Sequence, residues 1–315
     1  LLCVLNLRKS EGATFSLHLE PKTNMSQTNQ NLTRLAFLIF VIAIVIVVIK
    51  IVVPRLQNKN NDGDVVKDGE ESSRMRLLLP LYIYPGKEEY ALAGKAMKTL
   101  GGRMDIIVNP NSGIDAIAPP KTEWVTALNQ VSTNAGTSWH KLHGYISTKY
   151  GNRSKETAMA QMTGYVTLWS KWVGNFFFDE VSLSESKFAY YAELAAHAQK
   201  ILPGSRIILN PGAIDSGTVL PPQLMSLVGI TSAVIFETGR DSWYQMKAQP
   251  LPISKNAAII ALSTTFDPAN ISEDADFFAD VKKKNIGSFF VNHLDCDYSS
   301  LPPYWDSLVE AIRKS

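Results

Sequence analysis

The sequence predicts an α/β fold, a (β/α)₈ TIM barrel, and three observations support this prediction. Short apolar segments alternate with amphipathic segments eight times between residues 77 and 315. Each apolar segment is nearly continuous in hydrophobicity, which is typical of parallel strands that are buried on both faces. The stretch is also long enough, since a barrel of this kind needs roughly 250 residues.

Eight strands are predicted, each rich in Ile, Val, Leu, Phe or Tyr. In chain order they are Leu77–Tyr84, Met104–Asn109, Leu142–Thr148, Asn175–Asp179, Arg206–Asn210, Ala233–Glu237, Ala257–Ser263 and Ser288–Asn292. A count of eight favours a sheet that closes on itself. The alternative, an open doubly wound sheet, has no support from a GxGxxG motif after the first strand.

Helical periodicity fills most of the connections between these strands. The clearest helices are Thr122–Ala135, Glu156–Ser170, Ser186–Leu202, Asp274–Lys284 and Pro303–Lys314. The fifth and sixth units are the weakest, because prolines interrupt the helical pattern after those strands.

The residues before the barrel divide into three segments. Residues 1–34 form a polar tail, residues 35–53 an apolar run with one charge, and residues 54–76 a polar stretch without aromatics that predicts a disordered stalk. As a helix, the apolar run spans roughly 28 Å, close to the thickness of a bilayer's hydrocarbon core. We therefore expect a single transmembrane helix that contacts the lipid bilayer through residues 35–53.

This apolar run is longer than the core of a cleaved signal peptide, and no small-residue cleavage site follows it, so an uncleaved signal anchor is favoured. The expected location is a single-pass membrane protein with the barrel outside the cell or in the secretory lumen. Basic residues flank both ends almost equally, so the orientation of the anchor stays open.

Composition argues against several classes of partner. The net charge is +2 and the basic residues are dispersed, which gives no basic patch for nucleic acid. The two cysteines, Cys3 and Cys296, form no CxxC pair, and the five histidines form no HxH or HExxH pair. We therefore expect no nucleic-acid partner, no metal and no cofactor.

Polar side chains gather at the predicted carboxyl ends of the strands, where barrels of this kind carry their active sites. Tyrosine and tryptophan rings suit the faces of sugar rings, and asparagine and arginine suit sugar hydroxyls. A turn before proline explains Asn109 and Asn210 almost as well. The predicted ligand-binding residues are Tyr82, Tyr84, Asn109, Asn111, Tyr145, Tyr150, Arg153, Asn210, Trp243 and Asn292.

Three carboxylates stand out among these strand ends. Asp179 and Glu180 follow three phenylalanines on the fourth strand, and Glu237 ends the sixth. Glycosidic bonds are usually cut by one protonated carboxyl group and a second ionised one, and an apolar setting keeps the first protonated. We expect Glu180 to be the general acid, Glu237 its nucleophile, base or electrostatic partner, and Asp179 the residue that orients Glu180.

Seven segments in one order resemble the spherulin-4 proteins, also named spherulation-specific family 4. They are LLLPLYIYPG, IIVNPNSG, GYISTKYGNR, FFFDE, IILNPG, VIFETG and LPPYWDSLVEAI, from about Leu77 to Ile312. The resemblance implies a (β/α)₈ glycoside hydrolase acting on polysaccharides that contain amino sugars, such as galactosaminogalactan. It also implies that Asp179, Glu180 and Glu237 form the catalytic group.

The chain departs from the family pattern at two loops. Ile114-Asp115 stands where Pro-Gly is common, and Asn292-His293 stands where Thr-Asp is common. The expected activity is therefore a glycosidase acting on a cell-surface or matrix polysaccharide or oligosaccharide whose identity stays open. Retaining, inverting and substrate-assisted routes also stay open.

Two other functions are considered. The first is a cell-surface protein that binds carbohydrate without turnover. The second is a barrel enzyme for a phosphorylated metabolite, which is disfavoured because no glycine-rich phosphate loop follows the seventh or eighth strand.

Overall fold

The computed structural model describes residues 74–86, 88–212, 220–239, 242–243, 256–261, 275–293 and 297–315. Within these ranges eight strands form a closed barrel in sequential order. Every neighbouring pair is parallel, and the eighth strand pairs with the first through Arg76 opposite Ser288 and Leu77 opposite Phe289. The predicted α/β barrel is confirmed.

The strands lie close to their predicted positions. They are β1 Arg76–Leu81, β2 Met104–Val108, β3 Leu142–Ser147, β4 Val173–Asp179, β5 Ile207–Leu209, β6 Ile230–Gly239, β7 Asn256–Ala261 and β8 Ser288–Asn292. The largest differences are β1, which ends three residues before Tyr84, and β6, which begins three residues before Ala233. These strands are short and buried on both faces, so continuous hydrophobicity in the sequence is a good guide to their positions.

Seven α-helices are described between and after the strands. They are α1 Glu89–Thr99, α2 Thr122–Ala135, α3 Lys155–Leu168, α4 Phe188–Ile201, α5 Pro222–Met225, α6 Ala275–Lys283 and α7 Trp305–Lys314. The sequence prediction gave no bounds for α1 or for the single turn α5. Ser154 begins α3 as its N-cap, because its hydroxyl oxygen accepts a hydrogen bond from the Thr157 backbone N–H at 3.2 Å.

Alternation along β4 divides its side chains between two layers. Phe177 and Asp179 face the barrel interior, where the Phe177 ring packs 6.2 Å from that of Tyr145. Because successive residues of a strand point to opposite faces, Phe176 and Phe178 face the surrounding helices. All three phenylalanines are fully buried, so β4 is anchored on both sides and its last residue is held firmly at the mouth.

A charged cluster fills the opposite, amino-terminal end of the barrel interior. Asp105 on β2 lies 3.1 Å from Arg76 Nη2, 2.7 Å from Arg206 Nη2 and 3.2 Å from His143 Nε2. Burial raises the pKa of Asp105. The hydrogen bond with His143 and the charges of His143, Arg76 and Arg206 outweigh this effect and hold the pKa well below its ordinary value.

The predicted amino-terminal segments mostly lie outside the described residues. These are the tail at 1–34, the transmembrane helix at 35–53 and the part of the stalk before residue 74. Among the helices that are described, none combines the length and the apolar character needed to cross a bilayer. The anchor, the stalk and the membrane location therefore stay predictions.

Candidate functional site

The last residue of β4, Asp179, lies at the carboxyl-terminal mouth of the barrel and accepts hydrogen bonds on both oxygens. Its Oδ2 accepts from the Tyr145 hydroxyl at 2.6 Å, and its Oδ1 accepts from the Asn210 amide nitrogen at 2.8 Å. Tyr145 lies on the neighbouring strand β3, and Asn210 directly follows β5. The parallel register therefore brings one donor to Asp179 from each side.

Glu237 reaches the same place from β6. Its Oε2 accepts a hydrogen bond from Asn210 Nδ2 at 2.7 Å, and its Oε1 accepts from the Tyr298 hydroxyl at 2.7 Å. One amide group thus donates to both carboxylates. Asp179 Oδ1 and Glu237 Oε2 are at most about 5.5 Å apart, the sum of their 2.8 Å and 2.7 Å distances to the shared nitrogen.

This closeness changes the acidity of Asp179. Burial, followed by the negative charge of Glu237, raises the pKa of Asp179 from 3.8 to about 6, although hydrogen bonds from Tyr145, Glu180 and Asn210 oppose the rise. Two carboxylates this close do not easily ionise together. Asp179 therefore keeps its proton to a higher pH than an ordinary aspartate does.

Three tyrosine rings form an arc beside the two carboxylates. The Tyr82 ring lies edge-on to Tyr145 at 5.8 Å and edge-on to Tyr298 at 5.3 Å. Burial and the charges of Asp179 and Glu237 raise the pKa of Tyr82 well above its ordinary value. Burial, with Asp179 next, raises that of Tyr145 as well. Both phenols are therefore neutral hydrogen-bond donors.

The profile of spherulation-specific family 4 matches residues 76–312, which is the whole barrel. This chain belongs to spherulation-specific family 4. The resemblance predicted from the sequence is thereby confirmed. Spherulin-4 of Physarum polycephalum is 36% identical over 141 residues, a match that spans 45% of this chain and 40% of that protein.

Solved structures similar to this family member are barrels that differ widely in sequence. Dihydrodipicolinate synthase from Oceanobacillus iheyensis has 14% identity and a TM-score of 0.39, covering 78% of this chain and 76% of its own. N-acetylneuraminate lyase from Mycoplasma synoviae has 10% identity and a TM-score of 0.35, covering 70% of this chain and 69% of its own. These similarities concern the fold.

The prediction that this family member is a glycosidase is corrected here. The structures with a similar barrel are a lyase and a synthase, and a sialic acid aldolase from Ruminococcus gnavus is among them as well. The hydrolase class has no support from these comparisons. What stands is a barrel of spherulation-specific family 4 with a carboxylate pair at its mouth.

Glu180 follows Asp179 but has different partners. Its backbone adopts the left-handed region with φ of 54°, which non-glycine residues rarely do. Its carboxylate accepts a hydrogen bond from the Ser147 hydroxyl. Its backbone oxygen accepts from Tyr150 N at 2.6 Å and from Thr148 Oγ1 at 2.7 Å. The described hydrogen bonds therefore join Glu237 to Asp179 and not to Glu180.

The loop after β3 forms the rim next to Glu180. Tyr150 is more than half exposed and has φ of 54°, so its ring stands in solvent beside the mouth. Arg153 is half-buried, and its Nη1 donates to the Ser147 backbone oxygen at 3.0 Å. These two predicted ligand-binding residues lie at the rim, and the arginine also braces the strand that carries Ser147.

Three other predicted ligand-binding residues are Tyr84, Asn109 and Asn111, and the first two have partners other than the carboxylate pair. The exposed Tyr84 donates its hydroxyl to Glu123 Oε1 at 2.9 Å and packs on Trp124. Asn109 Oδ1 accepts from Gly113 N at 2.9 Å and so closes the loop after β2. Asn111 is exposed within that loop, with φ of 58°. The alternative role in a turn, which the sequence also indicated, therefore explains why an asparagine stands at position 109.

Trp243 and Asn292 are both buried. Trp243 is fully buried, packs edge-on to Phe236 at 5.1 Å, and has Lys284 Nζ 5.3 Å from its ring. Phe236 precedes Glu237 on β6 and therefore faces the opposite layer, so Trp243 packs with it in the core of the described residues, and its ligand-binding role stays a prediction. The buried Asn292, at the end of β8, donates to the Asp297 backbone oxygen at 2.8 Å.

Sequence reasoning missed two residues that contact the carboxylates. Ser147 ends β3, two residues after Tyr145 and on the same face, so period-two alternation gave a signal for it. Tyr298 lies six residues beyond the end of β8, and no local pattern indicates that its hydroxyl turns back to Glu237. Among the described residues, no group of three or more His, Cys, Asp or Glu could hold a metal ion.

Proposed function

We propose that this barrel binds a saccharide at its carboxyl-terminal mouth and transfers a proton between the Asp179–Glu237 pair and the bound ligand. The observation that carries the proposal is the single amide of Asn210, which donates to Asp179 at 2.8 Å and to Glu237 at 2.7 Å. This shared donor holds two carboxylates of different strands in one orientation.

The raised pKa of Asp179 supports acid–base chemistry. A carboxyl group with a pKa near 6 holds its proton far more often at neutral pH than an ordinary aspartate, and it still releases it readily. Glu237, two strands away, stabilises positive charge or accepts a proton on the other side of the ligand. Asp179 therefore serves as the acid in this proposal, in place of the acid role predicted for Glu180.

The groups around the pair favour a saccharide as ligand. Three tyrosine rings offer apolar surface, and the oxygens of their neutral hydroxyl groups offer hydrogen-bond acceptors. Sugars present the same combination, with apolar ring faces and hydroxyl edges. Glu180 and Tyr150 on the rim extend this surface beyond the pair.

The test is a panel of neutral and amino-sugar oligosaccharides added to the purified full chain. Binding is measured by isothermal titration calorimetry, and chemical change in the bound sugar by mass spectrometry. We expect at least one sugar to bind and to change. Asp179→Asn is expected to keep the binding and to lose at least 100-fold of the turnover, in line with the contribution of acid–base groups.

Three outcomes would contradict parts of this proposal. If no saccharide binds, the ligand class is wrong. If a sugar binds and stays chemically unchanged, the chain is the non-catalytic carbohydrate-binding protein that was the alternative. If Asp179→Asn turns over like the wild type, Asp179 is not the acid. Tyr84→Phe serves as a control, because the Tyr84 hydroxyl contacts Glu123 on the surface.

A further inference from the structure

We propose that Thr148, which directly follows β3, is a positioning residue that holds Glu180 in its left-handed conformation and thereby sets the arrangement of groups at the barrel mouth. This inference deepens the proposed function and rests on it only for the effect on turnover. The conformation of Glu180 is a property of the ligand-free protein, so it can be tested without a substrate.

The Thr148 hydroxyl contacts two successive carbonyl oxygens of the chain that leaves β4. Its Oγ1 donates to the Glu180 backbone oxygen, 2.7 Å away, and lies 2.9 Å from that of Asp179. In a strand that continues straight, successive carbonyl groups point to opposite sides, so one hydroxyl could not reach both. Both oxygens are within reach because the chain turns at Glu180, where φ is 54°. The double contact is therefore specific to the left-handed turn.

A second buried hydroxyl directs the hydrogen of Thr148. The Tyr191 hydroxyl accepts from the Ser182 backbone N–H at 2.7 Å and lies 3.3 Å from Thr148 Oγ1. Carbonyl oxygens can only accept, so the single hydrogen of the Thr148 hydroxyl points to them, and Tyr191 is the donor to Thr148. Thr148 and Tyr191 are both fully buried, so bulk water does not compete for these bonds.

A left-handed residue other than glycine is strained, and it persists only where several contacts hold it. Backbone groups supply two of these contacts. Thr148 N donates to the Asp179 oxygen at 2.9 Å, and Tyr150 N donates to the Glu180 oxygen at 2.6 Å. Each of these bonds fixes one carbonyl group, whereas the Thr148 hydroxyl contacts both. The hydroxyl therefore fixes the angle between the two peptide groups that flank the Glu180 α-carbon and its predecessor.

The turn at Glu180 connects to the amide that joins the two carboxylates. Val181, the next residue, donates its backbone N–H to the Asn210 backbone oxygen at 2.9 Å. The Asn210 side chain is the donor to both Asp179 and Glu237. If the turn relaxed, the Val181 N–H would move and the shared amide would shift relative to β4. Thr148 therefore acts on the pair through the backbone and touches neither carboxylate in this arrangement.

The first experiment reports the left-handed conformation through the difference in urea midpoint between Glu180→Gly and Glu180→Ala. Glycine adopts positive φ without strain, so the glycine variant is the more stable as long as the turn is kept. The same two substitutions are then made in Thr148→Val, which keeps the shape of the side chain and removes its hydroxyl. We expect this difference to fall below about half of its value in the wild-type background, because residues in contact are energetically coupled.

Thr148→Ser and Thr163→Val are the matched controls. Serine keeps the hydroxyl, so the difference between the two Glu180 variants should stay at its wild-type value. Thr163→Val removes a hydroxyl that donates to the Met159 backbone oxygen at 2.9 Å inside α3, so it should also leave the difference unchanged. If Thr148→Val does not fold, Tyr191→Phe takes its place, since it removes the donor to Thr148 and should reduce the difference in the same direction.

The second experiment measures turnover of a saccharide that the wild-type full chain converts. Thr148→Val should lower kcat at least about tenfold while KM changes less than about threefold, because a displaced acid–base pair slows the chemical step and leaves the tyrosine surface in place. Thr148→Ser should restore kcat. Thr163→Val should keep the wild-type kcat.

A difference between the Glu180 variants that is as large in Thr148→Val, or in its substitute Tyr191→Phe, as in the wild type overturns the inference. A wild-type kcat in Thr148→Val overturns its catalytic part. The urea measurements contain no ligand, so a failure of the wild-type chain to bind any saccharide counts against the proposed function alone.

Discussion

The pKa of Asp179 makes the stability of the folded chain depend on pH. Its value of about 6 in the folded protein lies above the ordinary value of 3.8, so the folded state binds the proton more tightly than the unfolded chain. The stabilisation from this group is fully present below about pH 4 and is lost as the pH rises through about 6.

Asp179→Asn should remove this dependence. A rise in pKa of about two units corresponds to about 3 kcal/mol, so the stability of the variant relative to wild type should increase by up to that amount between about pH 4 and pH 7. Urea unfolding of both proteins at several pH values measures the difference. A difference that does not change with pH would contradict the raised pKa of Asp179.

Glu180 stores backbone strain at the same mouth. Its φ of 54° places a side chain where glycine is favoured, a conformation that costs other residues roughly 1–2 kcal/mol. Glu180→Gly and Glu180→Ala both remove the carboxylate and its hydrogen bond with Ser147. A difference in stability between these two variants therefore reports the backbone strain alone. We expect Glu180→Gly to be more stable than Glu180→Ala by about 1 kcal/mol in thermal unfolding. Equal stabilities would show that the left-handed conformation is not kept.

At the scale of elements, the charged cluster at the amino-terminal end joins four strand regions. Asp105 on β2 contacts Arg76 on β1, His143 on β3 and Arg206, which precedes β5. Its partners reach it from both sides of the barrel interior, so the cluster ties together strands that are not neighbours in the sheet.

Asp105→Asn should therefore destabilise the barrel by about 1.5–3 kcal/mol, because the buried carboxylate loses the charge-assisted hydrogen bonds that it accepts from Arg76 and Arg206, whose side chains are 34% and 36% exposed. The pKa of Asp105 is held well below its ordinary value, so its contribution is present above about pH 4 and falls as the pH drops through the folded value. Denaturant unfolding at pH 7 measures the loss.

A surface ion pair provides the comparison for this cluster. Lys155 on α3 and Glu193 on α4 lie 2.5 Å apart, with side chains 38% and 52% exposed. Glu193→Gln should cost at most about 1 kcal/mol, because solvent screens exposed pairs. If Asp105→Asn cost as little as this substitution, the cluster would not hold the strands together.

At the scale of the whole molecule, the apolar run at 35–53 predicts that the chain is an integral membrane protein. The full chain should stay in the membrane pellet after alkaline carbonate extraction, and a chain lacking residues 35–53 should move to the supernatant. Release of the full chain by carbonate would contradict the anchor.

Much of the fold follows from the sequence because strand burial is a local signal. Eight runs of apolar residues located eight strands, and the polar residues at their ends located the mouth of the barrel. The connections were harder to predict. The segment that becomes α1 was not given bounds, although it begins with Glu89 and ends near Lys98, as the helix dipole favours.

The sequence by itself determined that carboxylates of the fourth and sixth strands meet at one end of a closed barrel, since alternation and strand count are enough for that. Only the tertiary structure decided which of them are neighbours. The direction of a side chain at a strand end depends on the backbone angle there, as with Glu180, and on long-range contacts such as the Tyr298 hydroxyl and the Asn210 amide. Such contacts join residues far apart in the chain, so no local period in the sequence encodes them.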